Sequence, residues 1–170
     1  MVGVVVLLVG GAVVAFAAGA GSSSAGPPPA PRVAQAFSLE DVRGTGVAAF
    51  SPGVPTVINF FASWCEPCRQ EMPALQAAAN ESAGRVAFVG VGHQDSRTRG
   101  AEMLEATGVT YPAAYDPTGS VAATYGLRRG LPATVFVAAD GTIRDTVLGA
   151  LDLEQLNAKV ERLFTLRSDQ

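Results

Sequence analysis

Apolar positions along the chain fall into short blocks with two different periods. Thr56–Phe61 (TVINFF) and Val86–Val91 (VAFVGV) are β-branched and aromatic runs, and predict two buried strands. Between them, Glu66–Ala79 places Cys68, Met72, Leu75 and Ala79 at i, i+4, i+7 and i+11, which is one face of a helix. Pro73 inside that helix predicts a kink. Arg97–Thr107 predicts a helix stopped by Gly108, Tyr111–Tyr115 an extended segment, and Thr118–Tyr125 a short helix ending at Gly126. Ala133–Ala138 and Thr142–Leu148 flank Ala139-Asp140-Gly141, a hairpin signal. Asp152 then caps a closing helix with Leu153, Leu156, Val160, Leu163 and Phe164 on one face. Upstream, Phe37–Phe50 predicts an N-terminal hairpin turning at Gly44-Thr45-Gly46. Strands alternating with helices in this order predict an α/β fold, a central mixed sheet with helices on both faces.

The first residues follow another pattern. Val2–Ala20 is an uncharged apolar run about as long as the ~20 residues a bilayer span needs. Residues 1–21 therefore read as a membrane anchor or a signal segment. Ala15-Phe16-Ala17 and Ala18-Gly19-Ala20 supply small-x-small sites for cleavage, while no Lys or Arg precedes the run, so both readings stay open. No Cys follows it, which excludes a lipoprotein anchor. Residues 22–35, rich in Ser and Pro, read as an extended linker. Residues 36–170 then suffice for one domain and leave no room for a second.

Charge narrows the function. Of 170 residues, 12 are Lys or Arg and 15 are Asp or Glu, a net charge of −3. The arginines are scattered and Lys159 is the only lysine, so no basic patch for nucleic acid is expected. Two cysteines and one histidine exclude a multi-disulfide scaffold and a four-ligand Cys/His zinc site within the chain. Neither cofactor nor metal is expected. His93, after a strand and beside Gln94 and Asp95, reads as a solvated loop histidine.

The chemistry that remains sits in Cys65-Glu66-Pro67-Cys68, which follows a predicted strand and opens a predicted helix. Free N–H groups and the macrodipole at a helix N-terminus favour an anion, so Cys65 should be a ready thiolate. Cys68, one turn in, should be more buried. That asymmetry suits disulfide exchange: Cys65 attacks, and Cys68 resolves the mixed disulfide. A purely structural disulfide closing so short a loop would add little stability.

The segment Asn59-Phe60-Phe61-Ala62-Ser63-Trp64-Cys65-Glu66-Pro67-Cys68-Arg69-Gln70-Glu71-Met72-Pro73 resembles the active-site region of the thioredoxin superfamily, in particular its TlpA/ResA-like branch of membrane-tethered, extracytoplasmic thiol-disulfide oxidoreductases. Gly130-Leu131-Pro132-Ala133-Thr134 resembles that family's cis-proline loop. The resemblance implies a thioredoxin-like fold with an N-terminal β-hairpin and a central α/β insertion at Arg97–Tyr115. It implies Cys65 as nucleophile, Cys68 as resolving thiol, and Trp64, Glu66, Pro67, Leu131 and a cis Pro132 as the surface met by a client. Glu71 matches the acidic residue that this branch carries three positions after the second Cys, which makes it a candidate to move the Cys68 proton. Thioredoxin itself keeps a buried Asp where this chain has Asn59, so a titrating carboxylate must come from elsewhere. Copper-delivery relatives of the same fold space their cysteines CxxxC, which this chain does not.

The implied protein is anchored to the cell membrane with its catalytic domain extracytoplasmic. It would reduce disulfides of client proteins such as apocytochrome c, drawing on a membrane electron donor. A disulfide oxidase of the same fold is the alternative, and a non-catalytic thiol chaperone a remoter one. Glu66 between the cysteines opposes a Cys65 thiolate and so favours the reductant.

Overall fold

The structure, a computed structural model, describes residues 30–127 and 130–165. Residues 1–29, holding the expected anchor or signal segment and most of the expected linker, lie outside the described residues. Among the described residues no helix is long and apolar enough to cross a membrane.

Among the described residues eleven elements follow in chain order: β1 (Phe37–Glu40), β2 (Val47–Phe50), β3 (Thr56–Phe61), α1 (Glu66–Glu81), β4 (Ala87–His93), α2 (Arg97–Ala106), β5 (Ala113–Asp116), α3 (Ser120–Thr124), β6 (Ala133–Val137), β7 (Ile143–Leu148) and α4 (Leu153–Thr165). Five strands form one mixed sheet in the order β5-β4-β3-β6-β7. β3 pairs parallel with β4, and β4 with β5, whereas β3–β6 and β6–β7 are antiparallel. β3 is central, so its TVINFF run is buried on both faces at all six positions.

One face of the sheet is covered by α1, α2 and α4, through Met72, Leu75, Met103, Leu104, Leu156 and Val160. The other is covered by the β1–β2 hairpin and α3, through Ala48, Phe50, Val121 and Ala122 around Ile58 and Phe60. The hairpin is tied to the sheet edge by Asp41, whose carboxylate accepts the N–H of Ala113 at 2.9 Å and that of Arg43 at 2.8 Å.

Helix α1 runs as one element through the exposed Pro73 and two residues beyond the expected end at Ala79. The compact unit begins at Pro31, ahead of the boundary expected at 36. Val33 bridges Thr142, and the Tyr125 hydroxyl donates to the Gln35 carbonyl at 2.6 Å.

His93 corrects the sequence reading. It is the last residue of β4, only 8% exposed, and its Nδ1 has no hydrogen-bond partner among the described residues. The strand runs two residues past Val91 because β5, the inserted strand, pairs with it there: Gly92 with Tyr115 and His93 with Asp116. A loop position was expected because the partner strand is distant in sequence.

Candidate active site

The site forms where β3 delivers the chain into α1. Cys65 is the N-cap of α1, with extended backbone at φ −93° and ψ 98°, and its Sγ accepts the Cys68 N–H at 3.2 Å. A side-chain acceptor at this position satisfies one of the free N–H groups of the first turn. Pro67 stands in that first turn, where its missing N–H is no loss. Cys65 and Cys68 are joined as a disulfide, with Cα atoms 5.3 Å apart.

Cys68 is fully buried, and Cys65 is 5% exposed rather than openly accessible as its terminal position suggests. Trp64, Glu66 and Pro67 are exposed beside the pair, Trp64 at 63%. Glu66 is within 3.8 Å of Arg69 one turn on, in solvent.

Leu131–Pro132 is a cis peptide bond. Pro132 is buried and Leu131 partly so, and the segment leads directly into β6, the antiparallel neighbour of β3. Ala133 pairs with Phe60, so the cis-proline loop lies at the end of the sheet from which the Cys turn emerges. The Pro132 carbonyl accepts the N–H of Gly149 at 2.9 Å.

Glu71 follows Cys68 by three positions on α1 and is buried, 2% exposed. One carboxylate oxygen accepts from Asn59 Nδ2 at 2.7 Å and the other from the Leu151 N–H at 3.1 Å. Burial pushes its pKa from the usual carboxylate range up to about 7, and the Leu151 and Asn59 hydrogen bonds hold it back from rising further. Its position three residues after Cys68 places both on adjoining parts of the same helix surface.

Three supporting residues were not singled out from the sequence as parts of the site. Asn59 is the one amide inside TVINFF, flanked by apolar residues, a legible signal of a buried polar role. Thr134 shares the Asn59 amide at 3.1 Å. Asp95, from the β4–α2 connection, accepts the Ser63 hydroxyl at 2.7 Å and also the Ser63 N–H, so it fixes the turn that carries Trp64 and Cys65. Only the fold brings Asp95 to Ser63, so their sequence carries no sign of the contact. Among the described residues no three His, Cys, Asp or Glu side chains are grouped to hold a metal ion. A cleft of about 550 Å³ lined by Phe50, Val54, Thr56 and Ala87 opens at the far end of the sheet, away from the cysteines.

A five-stranded mixed sheet, a disulfide capping the helix after its central strand and a cis-proline loop beside it define a protein of the thioredoxin class. The AhpC/TSA family matches residues 31–146. The chain belongs to that family of the thioredoxin superfamily, and within the superfamily to the ResA-like thiol-disulfide oxidoreductases. It is 39% identical over 92 residues to the thiol:disulfide interchange protein CycY of Rhizobium leguminosarum bv. viciae, covering 54% of this chain and 48% of that one. It is 31% identical over 119 residues to the thiol-disulfide oxidoreductase ResA of Oceanobacillus iheyensis, covering 69% and 57%. The chain thus spans about half the length of these relatives. The solved structure of MTB DsbF, in mixed oxidised and reduced forms, superposes with a TM-score of 0.67 at 30% identity, covering 75% of this chain and 94% of that one.

Proposed function

We propose that this chain is an extracytoplasmic protein-disulfide reductase, held at the cell membrane by residues 1–21, with client proteins such as an apocytochrome c carrying a cysteine pair. The observation that carries the exchange chemistry is the helix-capping geometry of Cys65 over the buried Cys68. In the reduced enzyme the first-turn N–H groups and the helix dipole stabilise the Cys65 thiolate. That thiolate attacks one sulfur of a client disulfide, and the other client sulfur leaves as thiolate. The Glu71 carboxylate then takes the proton of Cys68, whose sulfur attacks Cys65 Sγ. The second client sulfur leaves and is protonated, and Cys65–Cys68 is a disulfide. Two electrons have passed from the enzyme dithiol to the client.

Trp64, Glu66, Pro67 and Leu131 with Pro132 form the surface on which the client segment lies. A membrane electron donor returns the pair to the dithiol. The relatives' names, thiol:disulfide interchange protein and thiol-disulfide oxidoreductase, support the reaction class. The reducing direction rests on Glu66, whose charge between the cysteines opposes the thiolate and stabilises the disulfide form.

Two measurements test the reading. Cys68→Ser should accumulate mixed disulfides with clients and Cys65→Ser should not; equal capture by both sinks the nucleophile assignment. The potential, read by equilibration with dithiothreitol, should lie near or below the ~−270 mV of thioredoxin. A value above about −180 mV assigns the chain to oxidation instead.

A further inference from the structure

Asn59 sits at the middle of β3, 1% exposed, and both of its amide protons are used. Nδ2 donates to Glu71 Oε1 at 2.7 Å and to Thr134 Oγ1 at 3.1 Å, while Oδ1 is buried without a donor among the described residues. A buried polar atom left unpaired costs about 1–3 kcal/mol, so its place beside a titrating carboxyl asks for a reason.

A side-chain amide occupies nearly the same volume when turned by 180°, with donor and acceptor exchanged. As found, the NH2 group suits an ionised Glu71, which can only accept. In the turned orientation Oδ1 takes the place of Nδ2. It then accepts the O–H of a neutral Glu71, and the Thr134 hydroxyl rotates from accepting to donating. Two side-chain hydrogen bonds to the same neighbours are kept either way, and the group left unpaired among the described residues changes from Oδ1 to the NH2 group. An aspartate here would suit the neutral acid but repel the carboxylate, and a leucine would suit neither.

We infer that Asn59 is a positioning residue whose amide turns with the protonation state of Glu71, keeping that carboxyl seated against the strand of cis Pro132 both with and without its proton. The inference rests on the reading above, in which Glu71 takes and returns a proton. The surrounding bonds make a closed circuit. Glu71 holds the Leu151 N–H, Gly149 on the same segment holds the Pro132 carbonyl, and Thr134 lies two residues beyond Pro132. A carboxyl that swung away on protonation would release this circuit at every turnover, whereas a turning amide leaves it intact.

Among the described residues the groups facing Glu71 are few. They are the Cys65–Cys68 pair on its own helix, Asn59 from β3, the Leu151 N–H before α4, and Tyr111, whose buried, unpartnered hydroxyl is pushed up by burial and by the Glu71 charge. Burial of Glu71 places its midpoint close to neutral, where both forms are populated.

The test is a pH titration of the oxidised full chain by NMR, following the Glu71 side-chain carboxyl carbon and the Asn59 Nδ2 signals together. No client is needed. The Asn59 signals should shift with the Glu71 midpoint. Asn59→Leu removes a charge-assisted bond to the carboxylate and a weaker neutral bond to the acid, so the midpoint should rise by their difference, about one pH unit or a tenfold gain in proton affinity. Thr134→Val should raise it less, and Thr134→Ser should restore it. Asn59 signals that stay flat through the Glu71 titration, or an unmoved midpoint in folded Asn59→Leu, overturn the inference. If Asn59→Leu does not fold, the wild-type titration and the Thr134 pair decide it. Should Asn59 track Glu71 while Glu71→Gln leaves the pH profile of exchange unchanged, the proton-transfer reading fails and the positioning role stands.

Discussion

At the scale of single residues, the site separates two sulfurs only three positions apart in the chain. Cys65 caps the helix and Cys68 lies under it, fully enclosed. After reduction, iodoacetamide should modify Cys65 at least about tenfold faster than Cys68 at neutral pH, because only the cap sulfur combines helix-end stabilisation with an outlet to solvent. Equal rates, read by mass spectrometry of quenched samples, would remove the assignment of nucleophile and resolving thiol. At 5% exposure the Cys65 sulfur is only narrowly open to solvent, beside the exposed Trp64.

Among the elements, the insertion carrying α2 and β5 does more than lengthen the chain. β5 extends the sheet and draws His93 into β4, and the connection before α2 supplies the Asp95 clamp on Ser63. The N-cap of α3 is Gly119 at φ +73°, and a Cβ there would lie 2.7 Å from His93 Cε1. Gly119→Ala should therefore lose roughly 1–2 kcal/mol from the left-handed backbone and more from the collision with a buried ring. Gly126 has φ +76° but meets only Arg32 Nη2 at 3.9 Å. Gly126→Ala isolates the backbone part, about 1–2 kcal/mol. Urea unfolding of the two variants checks the difference. If Gly126→Ala destabilises as much as Gly119→Ala, the His93 contact contributes nothing.

Over the whole molecule, the buried Glu71 makes folding stability depend on pH. Its folded midpoint is near 7 instead of 4.5, so the native state holds the proton more tightly than the unfolded chain. The contribution is full below about pH 4.5 and is lost as pH rises towards 7, roughly 3 kcal/mol in all. Glu71→Gln should abolish that slope and be more stable than wild type at pH 8, measured by urea unfolding at pH 5 and pH 8. A wild-type slope that survives the substitution would trace to other groups. Periodicity and turn residues were enough to place all eleven elements within a few residues, because buried strands and one-faced helices write their spacing into the chain. CxxC after a strand, with the cis-proline motif downstream, was enough to locate the cysteines and the loop beside them, since helix-end chemistry is local. Position three after Cys68 put Glu71 on the right helix, but its burial depends on Asn59 from β3 and Leu151 from before α4. His93 looked solvated until β5 paired beside it, and Asp95 meets Ser63 only across the sheet end. Those contacts join residues far apart in sequence, and a pattern of neighbouring residues carries no record of which strand edges will meet; only the folded sheet decides that.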